Sequence, residues 1–550
     1  MVLAEEIRIF LKGDVDGRAE TLEKYARDAS LFYIKPSVVV FPKDAGDIMR
    51  LVDFVNKQKK EGRNISLTAR CAGTDMTGGT LTESVVVEMT KYFDKFVELG
   101  NDYAVVQPGV FYRDFEKKTL EKGLIMPSYP ASRELCTVGG MVANNSGGEK
   151  TLRYGKTENY LEEIKMVLAD GREHSFKKLT GGELKAKMAE NSYEGEIYKK
   201  LWKIIADNDA ILKNAKPDVT KNSSGYYLWN VWDGAKKTFD INKLIAGSQG
   251  TFGIITEIKF SLIRVKPKSR LLIIFLDDLA KLGELTGRIL SFKPESFESY
   301  DDNTFRIAIK FFPEIMERIK GSFIRIALAL APTVWMIVMR FFKLPKLVLL
   351  VEFAEDTQAE AYDKARRAEE AVKKEFGLKT RVTGSAEETQ EFWTIRRESF
   401  NLLRHHVRGL RTAPFIDDFS VRHQVLPQFL PRLYAILNKY KLLYTIAGHV
   451  GDGNFHIIPL MDLSKPSAKD TIEKLSREVY DLVFEFKGST TAEHNDGIIR
   501  SSYLKEAFGE RVYNLFVETK KAFDPDNIFN PGKKTGGDFK YAMDHLDKKM

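Results

Sequence analysis

Residues 65–89 read ISLTARCAGTDMTGGTLTESVVVEM: an apolar β-branched run, a glycine-rich loop from Arg70 to Thr80, and a second apolar run. The expected order is strand, loop, strand. A dinucleotide fingerprint of the Rossmann kind must follow a strand and open a helix, and a P-loop must end in GK[ST]. This stretch does neither, so both common nucleotide folds are excluded. Small residues in succession still let consecutive backbone N–H groups approach an anion as a nest. Two further loops follow, TVGGMVANNSGG at 137–148 and GSQGTFG at 247–253. One such loop is a turn; three in one chain point to a bound phosphate-bearing cofactor.

Strands and helices alternate around these loops. PSVVVFP, Pro36 to Pro42, is an apolar run bounded by prolines, and Ile48, Leu51, Val52 and Val55 then recur at helical spacing. Tyr103–Val110 is another strand, and Lys165–Phe176 is a hairpin turning at Asp170-Gly171. From Ser269 to Gln390 apolar strands such as LLIIFL and LVLLVEF alternate with charged helices such as QAEAYDKARRAEEAVKKEF. A boundary falls near Lys266-Pro267-Lys268, and FDPDNIFNPGKK reads as a loop followed by a loose tail. The fold class is α+β.

At roughly 150 residues per domain, 550 residues predict two to four domains. A chain 43% hydrophobic and 29% charged is neither disordered, collagenous nor a coiled-coil array. Cys71 and Cys136 alone cannot build a disulfide framework, a CxxC site or an iron–sulfur cluster. The opening MVLAEEIRIFLKGDVDG has acids at Glu5 and Glu6 and no long apolar run, so a cytoplasmic setting is expected.

The net charge of +8 is mild, yet Arg306–Lys346 holds eight Lys and Arg against two Glu. Within it Ile326 to Met339 carries no charge, but a bilayer span needs about 20 apolar residues and Pro332 breaks a helix. Two readings of 322–342 remain: a monotopic membrane patch with Trp335 and Phe341-Phe342, or a buried helix or hairpin. Nucleic-acid binding is disfavoured, because the basic residues flank an apolar stretch rather than lining a polar groove.

Taken together, PSVVVFPKDAGDIMRLV, RCAGTDMTGG, VVQPGV, PSYPAS, CTVGGMVANNSGG, LRYGKT, VLADG and GSQGTFGIITEI resemble the FAD-linked oxidases of the vanillyl-alcohol-oxidase type. GHVGDGNFH, TAEH and FDPDNIFNPGK resemble the branch of D-lactate, glycolate and D-2-hydroxyglutarate dehydrogenases. The resemblance spans residues 36–534, weakly at 176–240 and 270–390. It implies an FAD-binding domain at 1–265, a substrate domain with a metal site at 266–490, and a segment 491–550 returning to the FAD domain. By the same resemblance Ala72, Gly73, Thr74, Asp75, Gly78 and Gly79 would hold the FAD pyrophosphate. Pro130, Ser132, Thr137, Gly140, Asn144 and Gly147 would line the flavin and its chain. Gly250, Gly253 and Ile255 would take the adenosine end, with Asn530 completing the cofactor set. Where some members attach flavin through a histidine in the first loop this chain has Thr74, so the FAD is expected to be non-covalent.

The histidines carry the chemistry. In GHVGDGNFH, Gly448 to His456, the Asp452-Gly453 pair predicts a two-residue hairpin turn. That turn would set His449 directly opposite His456, with Cβ atoms about 5 Å apart, close enough to share a metal ion. Glu493 is the candidate third ligand. Two histidines and one carboxylate with an open position suit catalytic zinc; the set also fits non-haem iron, and manganese is a further candidate. Adjacent strand residues point to opposite faces, so His494 beside Glu493 requires irregular backbone or another role. The resemblance gives it one, general base for a substrate hydroxyl, which a neutral imidazole with pKa near 6.5 can perform. It also places a carboxylate-binding arginine at Arg396, with Arg397 as the neighbouring alternative; a planar guanidinium clamps a carboxylate through two hydrogen bonds.

Three positions depart from the family pattern. The usual EHGxG reads Glu493-His494-Asn495-Asp496-Gly497, which bears on the local backbone. Ile416 replaces a lysine of the hydroxyglutarate branch, and Arg422 stands where proline is common. The expected activity is FAD-dependent dehydrogenation of a small D-2-hydroxy acid, with electrons leaving to an external acceptor such as a quinone or an electron-transfer protein. The rivals are a non-redox flavoprotein resembling alkyl-dihydroxyacetone-phosphate synthase and a non-catalytic FAD electron-transfer subunit.

Overall fold

The computed structural model describes residues 3–302, 345–385, 388–389, 392–393, 396 and 410–548. Segment 322–342 and Arg397 lie outside the described residues. Val38–Phe41, Leu67–Arg70 and Val85–Glu88 pair in parallel, with Val85–Glu88 in the middle. They are almost wholly buried, which is why they read as continuous apolar runs rather than alternating ones. The first glycine loop therefore does join two strands. Asp44 caps the helix Ala45–Lys60 by accepting from the Asp47 N–H, and Ile48, Leu51, Val52 and Val55 pack beneath it.

A second, antiparallel sheet runs Phe96–Leu99, Tyr103–Val106, Ile254–Ser261, Leu161–Val167, Glu173–Lys177. Its last hairpin turns at Asp170-Gly171 as read from the sequence, with Gly171 at φ 71°. On the final strand His174 lies 2.9 Å from Asp170 and 3.5 Å from Glu194. Burial opposes its charge, but the two carboxylates lift it to about 9. A histidine that holds its proton more tightly when folded stabilises the fold while protonated. The stability gap between wild type and His174→Gln should therefore be full below pH about 6.5 and vanish as pH rises through about 9, by unfolding across that range.

The largest sheet begins at Lys268. Its order is Lys379–Val382, Lys268–Leu276, Leu347–Glu355, Ser296–Asp301, Leu443–His449, Asn454–Met461, Arg411–Thr412, with Phe419–Ser420 also on Asn454–Met461. Gln358–Phe376, Leu426–Lys439 and Ser467–Glu485 cover one face, while Phe392 and Trp393 pack on the other. Glu295 ties this sheet to the glycine-loop half: Lys150 and Arg153 lie 3.2 Å from its carboxylate and the Tyr154 hydroxyl donates at 3.0 Å.

The C-terminus returns to the first sheet, where the Leu67 N–H donates to Ile528 O at 2.7 Å. The expected loose tail is instead docked. Met543 and Leu546 are buried, and Asp547 holds Arg27 and Arg411, each at 2.8 Å. Apolar spacing too short to read as a helix is enough to seat it. Among the described residues no helix is long and apolar enough to cross a membrane.

Candidate active site

The hairpin carrying the two histidines differs from the sequence expectation. A two-residue type I′ turn needs positive φ at both central residues, and of Asp452 and Gly453 only Gly453 has it, at 63°. Val450–Asp452 instead form a short 3-10 turn, so His449 faces Asn454 and His456 faces Ala447. The shift is two residues, which preserves the face. The histidines are diagonal neighbours, their ring centroids 5.3 Å apart and near perpendicular at 87°.

Glu493 completes the set: ligand atoms of His449, His456 and Glu493 all lie within 4.8 Å of one another. His449 Nε2 is 3.2 Å from Glu493 Oε1, while its Nδ1 is held by Glu298 at 2.5 Å. Asp417 holds His456 by Nδ1 at 3.1 Å and reaches His494 Nδ1 at 2.7 Å. Carboxylates on the outer ring nitrogens turn the inner ones toward a shared centre, the usual support of a metal-bound imidazole. The donor set thus fits a divalent ion, zinc, manganese or iron alike.

Residues 491–496 are irregular, as adjacent Glu493 and His494 require. One oxygen of Asp418 accepts from Thr491 Oγ1 at 2.6 Å and from the N–H groups of Glu493 and His494 at 2.8 and 2.6 Å. Asn495 takes φ 72° where the family has glycine, a conformation asparagine tolerates. Its side chain donates to Gly247 O at 3.0 Å, and Asp496 pairs with buried Lys534 at 2.9 Å. The altered motif keeps the glycine backbone. Ile416 is buried in the main core, and Arg422 meets Asp218 at 3.0 Å on the surface, a pair of little energetic weight.

The charges are concentrated. Burial disfavours the Glu493 carboxylate, yet Lys221 and His449 hold it well below the usual range. Lys221, despite complete burial, is raised by Asp452 and Glu493. His494 is the exposed member, its side chain 24% accessible and stacked on His456 at 5.1 Å. Burial opposes its protonation, but Asp418 and Asp417 lift it to about 9. Arg396 is buried and donates to Glu298 at 3.1 Å, which joins it to His449.

Glu298, Asp417, Asp418, Lys221 and Arg500 escaped the sequence reading. Acids inside apolar runs, as in PFIDDF and SFESYD, were the available signal, because buried charge needs a partner. Arg500 is fully buried and donates to the carbonyl oxygens of Asp417 and Asn495, fixing both backbones.

The three glycine loops converge. Asn144 at the end of the helix Val138–Asn144, capped by Thr137, donates to Asp75 at 3.2 Å. Asn530 donates to Gly79 O at 2.8 Å and Gln249 O at 2.7 Å, joining the first and third loops. Pro130 and Ser132 form the turn before Thr137 by accepting from Arg133 and Cys136 at 3.0 and 2.9 Å. Gly147 faces Glu493, Oε1 lying 3.4 Å from where its Cβ would stand. Gly253 precedes the strand Ile254–Ser261, on which Ile255 pairs with Met166.

Asp75 accepts from the N–H groups of Thr77 at 3.0 Å and Gly79 at 2.7 Å. Two amides of the nest are thereby satisfied within the chain. A cradle remains: beside half-buried Gly140 and Gly250 the nearest atoms to an added Cβ are Thr137 Oγ1 at 3.6 Å and Ala69 Cβ at 3.9 Å. The residues fit a cofactor laid along them.

A family model for the C-terminal domain of FAD linked oxidases matches residues 266–534, and a model for an FAD binding domain matches 36–177. The chain belongs to the FAD-linked oxidases. Among relatives of this FAD-linked oxidase, D-2-hydroxyglutarate dehydrogenase of Pseudomonas putida is 26% identical over 95% of this chain and 50% of that one. The chain spans about half the length of four such dehydrogenases. Glycolate oxidase subunit GlcD of Bacillus subtilis is 25% identical over 92% of this chain and 91% of its own. In three dimensions 4-ethylphenol oxidase from Gulosibacter chungangensis superposes with a TM-score of 0.68 at 17% identity, covering 97% of this chain and 96% of that one. An alkyldihydroxyacetonephosphate synthase superposes at 0.65 and 15% identity, covering 96% and 85%. The fold is that of the vanillyl-alcohol-oxidase type.

Proposed function

We propose that this FAD-linked oxidase is a dehydrogenase of a small D-2-hydroxy acid, assisted by a divalent metal. The observation that carries the reading is the cluster of His449, His456 and Glu493 within 4.8 Å, with His494 stacked on it and Gly147 of the flavin loop against Glu493. The names of the relatives, a hydroxyglutarate dehydrogenase and a glycolate oxidase subunit, support the substrate class. FAD supplies the hydride acceptor, and a dication at the three ligands, zinc first among the candidates, supplies a Lewis acid for the substrate hydroxyl.

The chain's own residues do the rest. Arg396 offers a planar cation for the substrate carboxylate. His494 accepts the hydroxyl proton; it must be neutral to do so, and the positive charge of a neighbouring dication lowers its affinity for a proton. Asp417 lies at ion-pair distance, 2.7 Å, from Nδ1 of this ring, which leaves Nε2 for the substrate. In this reading the electrons pass from the flavin to an external acceptor, a quinone or an electron-transfer protein.

Anaerobic mixing of the FAD-loaded protein with D-lactate, L-lactate, glycolate, D-2-hydroxyglutarate and longer 2-hydroxy acids tests this directly. One D-acid is expected to bleach the oxidised flavin band, and prior chelation is expected to abolish the bleaching. If no acid bleaches the metal-replete protein, the dehydrogenase reading is wrong and adduct chemistry or electron transfer takes its place.

A further inference from the structure

Lys221 lies in a stretch that neither family model matches, and its side chain is fully buried. Its ammonium nitrogen is 2.6 Å from Glu493 Oε1, 3.2 Å from Asp452 Oδ2 and 3.2 Å from the Gly148 carbonyl oxygen. An ammonium has three N–H donors, and three acceptors surround this one. Glu493 is a ligand of the proposed metal centre, Asp452 sits in the loop between the other two ligands, and Gly148 follows Gly147 of the flavin loop. The oxygen that accepts from Lys221 is also the one facing His449 Nε2 at 3.2 Å. A charge so deeply buried is screened far less than one at the surface.

We propose that Lys221 is a positioning residue that acts electrostatically, holding Glu493 in place while withdrawing negative charge from the metal centre. The proposal rests on the metal reading of this site. A carboxylate oxygen that already accepts from an ammonium donates less charge to a metal, which leaves the dication a stronger Lewis acid. The same cation repels the dication, so the centre binds metal less tightly than two imidazoles and a carboxylate would by themselves. Asp452 limits both effects by neutralising part of the ammonium charge.

Two substitutions move the charge in opposite directions. Lys221→Met removes the cation at similar length, and Asp452→Asn removes the anion at nearly constant shape. Zinc affinity is read by calorimetric titration of FAD-loaded, metal-stripped protein. Lys221→Met is expected to bind zinc about tenfold or more tightly, and Asp452→Asn weaker by a similar factor. The zinc-loaded Lys221→Met protein should lose at least about tenfold in kcat despite its tighter metal. A merely structural role for Lys221 would weaken zinc in both variants. Where Lys221→Met fails to hold FAD, Lys221→Gln, which removes the charge but keeps a hydrogen-bond donor, takes its place and is likewise expected to bind zinc more tightly. Unchanged or weaker zinc binding in folded Lys221→Met, or unchanged or tighter binding in Asp452→Asn, overturns the proposal. Failure of the wild-type protein to bind zinc would overturn the metal reading beneath it.

Discussion

His494→Ala is expected to lower kcat by roughly 10²–10⁴-fold while FAD and metal content stay at wild-type levels. The separation follows from geometry. The three ligand atoms come from His449, His456 and Glu493, and His456 keeps Asp417 as its partner through Nδ1 at 3.1 Å when the neighbouring ring is removed. The Asp418 bonds that fix this segment come from backbone N–H groups and Thr491, so the loop conformation survives the substitution. What is lost is the most accessible imidazole of the cluster. Stopped-flow bleaching with the best acid measures the step itself. Wild-type bleaching in His494→Ala would remove His494 from proton transfer.

Asp496→Ala is expected to cost about 3–5 kcal/mol, because it leaves an unpaired cation in the interior. Asp496 and Lys534 have no exposed side-chain surface, and their ion pair is 2.9 Å long. The same carboxylate accepts from Ser224 Oγ at 3.0 Å and the Gly225 N–H at 2.9 Å, donors that alanine strands as well. Burial already lowers the proton affinity of Lys534, and Asp496 is what opposes it. Thermal melting should show a clear fall for Asp496→Ala, and adding Lys534→Met should restore much of the loss. A melting temperature equal to wild type would show that the pair carries no stability. Asn495, next to Asp496, donates to Asn144 O and Gly247 O of the glycine loops, so loss of the pair should also reduce FAD retention.

Elements fixed by local pattern were legible. The valine runs at 38–41 and 85–88, the helix with Ile48, Leu51, Val52 and Val55 on one face, and the Asp170-Gly171 hairpin follow from period and turn chemistry alone. The glycine loops were legible for the same reason: Gly73, Gly78, Gly247 and Gly250 take positive φ, which glycine adopts without strain. The candidate ligands were equally local, since few residue types bind a dication and His449, His456 and Glu493 lie in two short segments. The docked tail was not, because its few apolar residues acquire meaning only against the surface they meet.

By itself the sequence determined which backbone could be built and which side chains could do chemistry. The tertiary structure decided how those side chains are held. The 3-10 turn, not the Asp452-Gly453 pair, set the diagonal placement of the two histidines, because the φ of Asp452 answers to the strands packed around it. Glu298 reaches His449 across 151 residues, and Lys221 reaches Glu493 across 272. A buried charge must find its partner wherever the fold brings one, and no local period records which strand or loop that is.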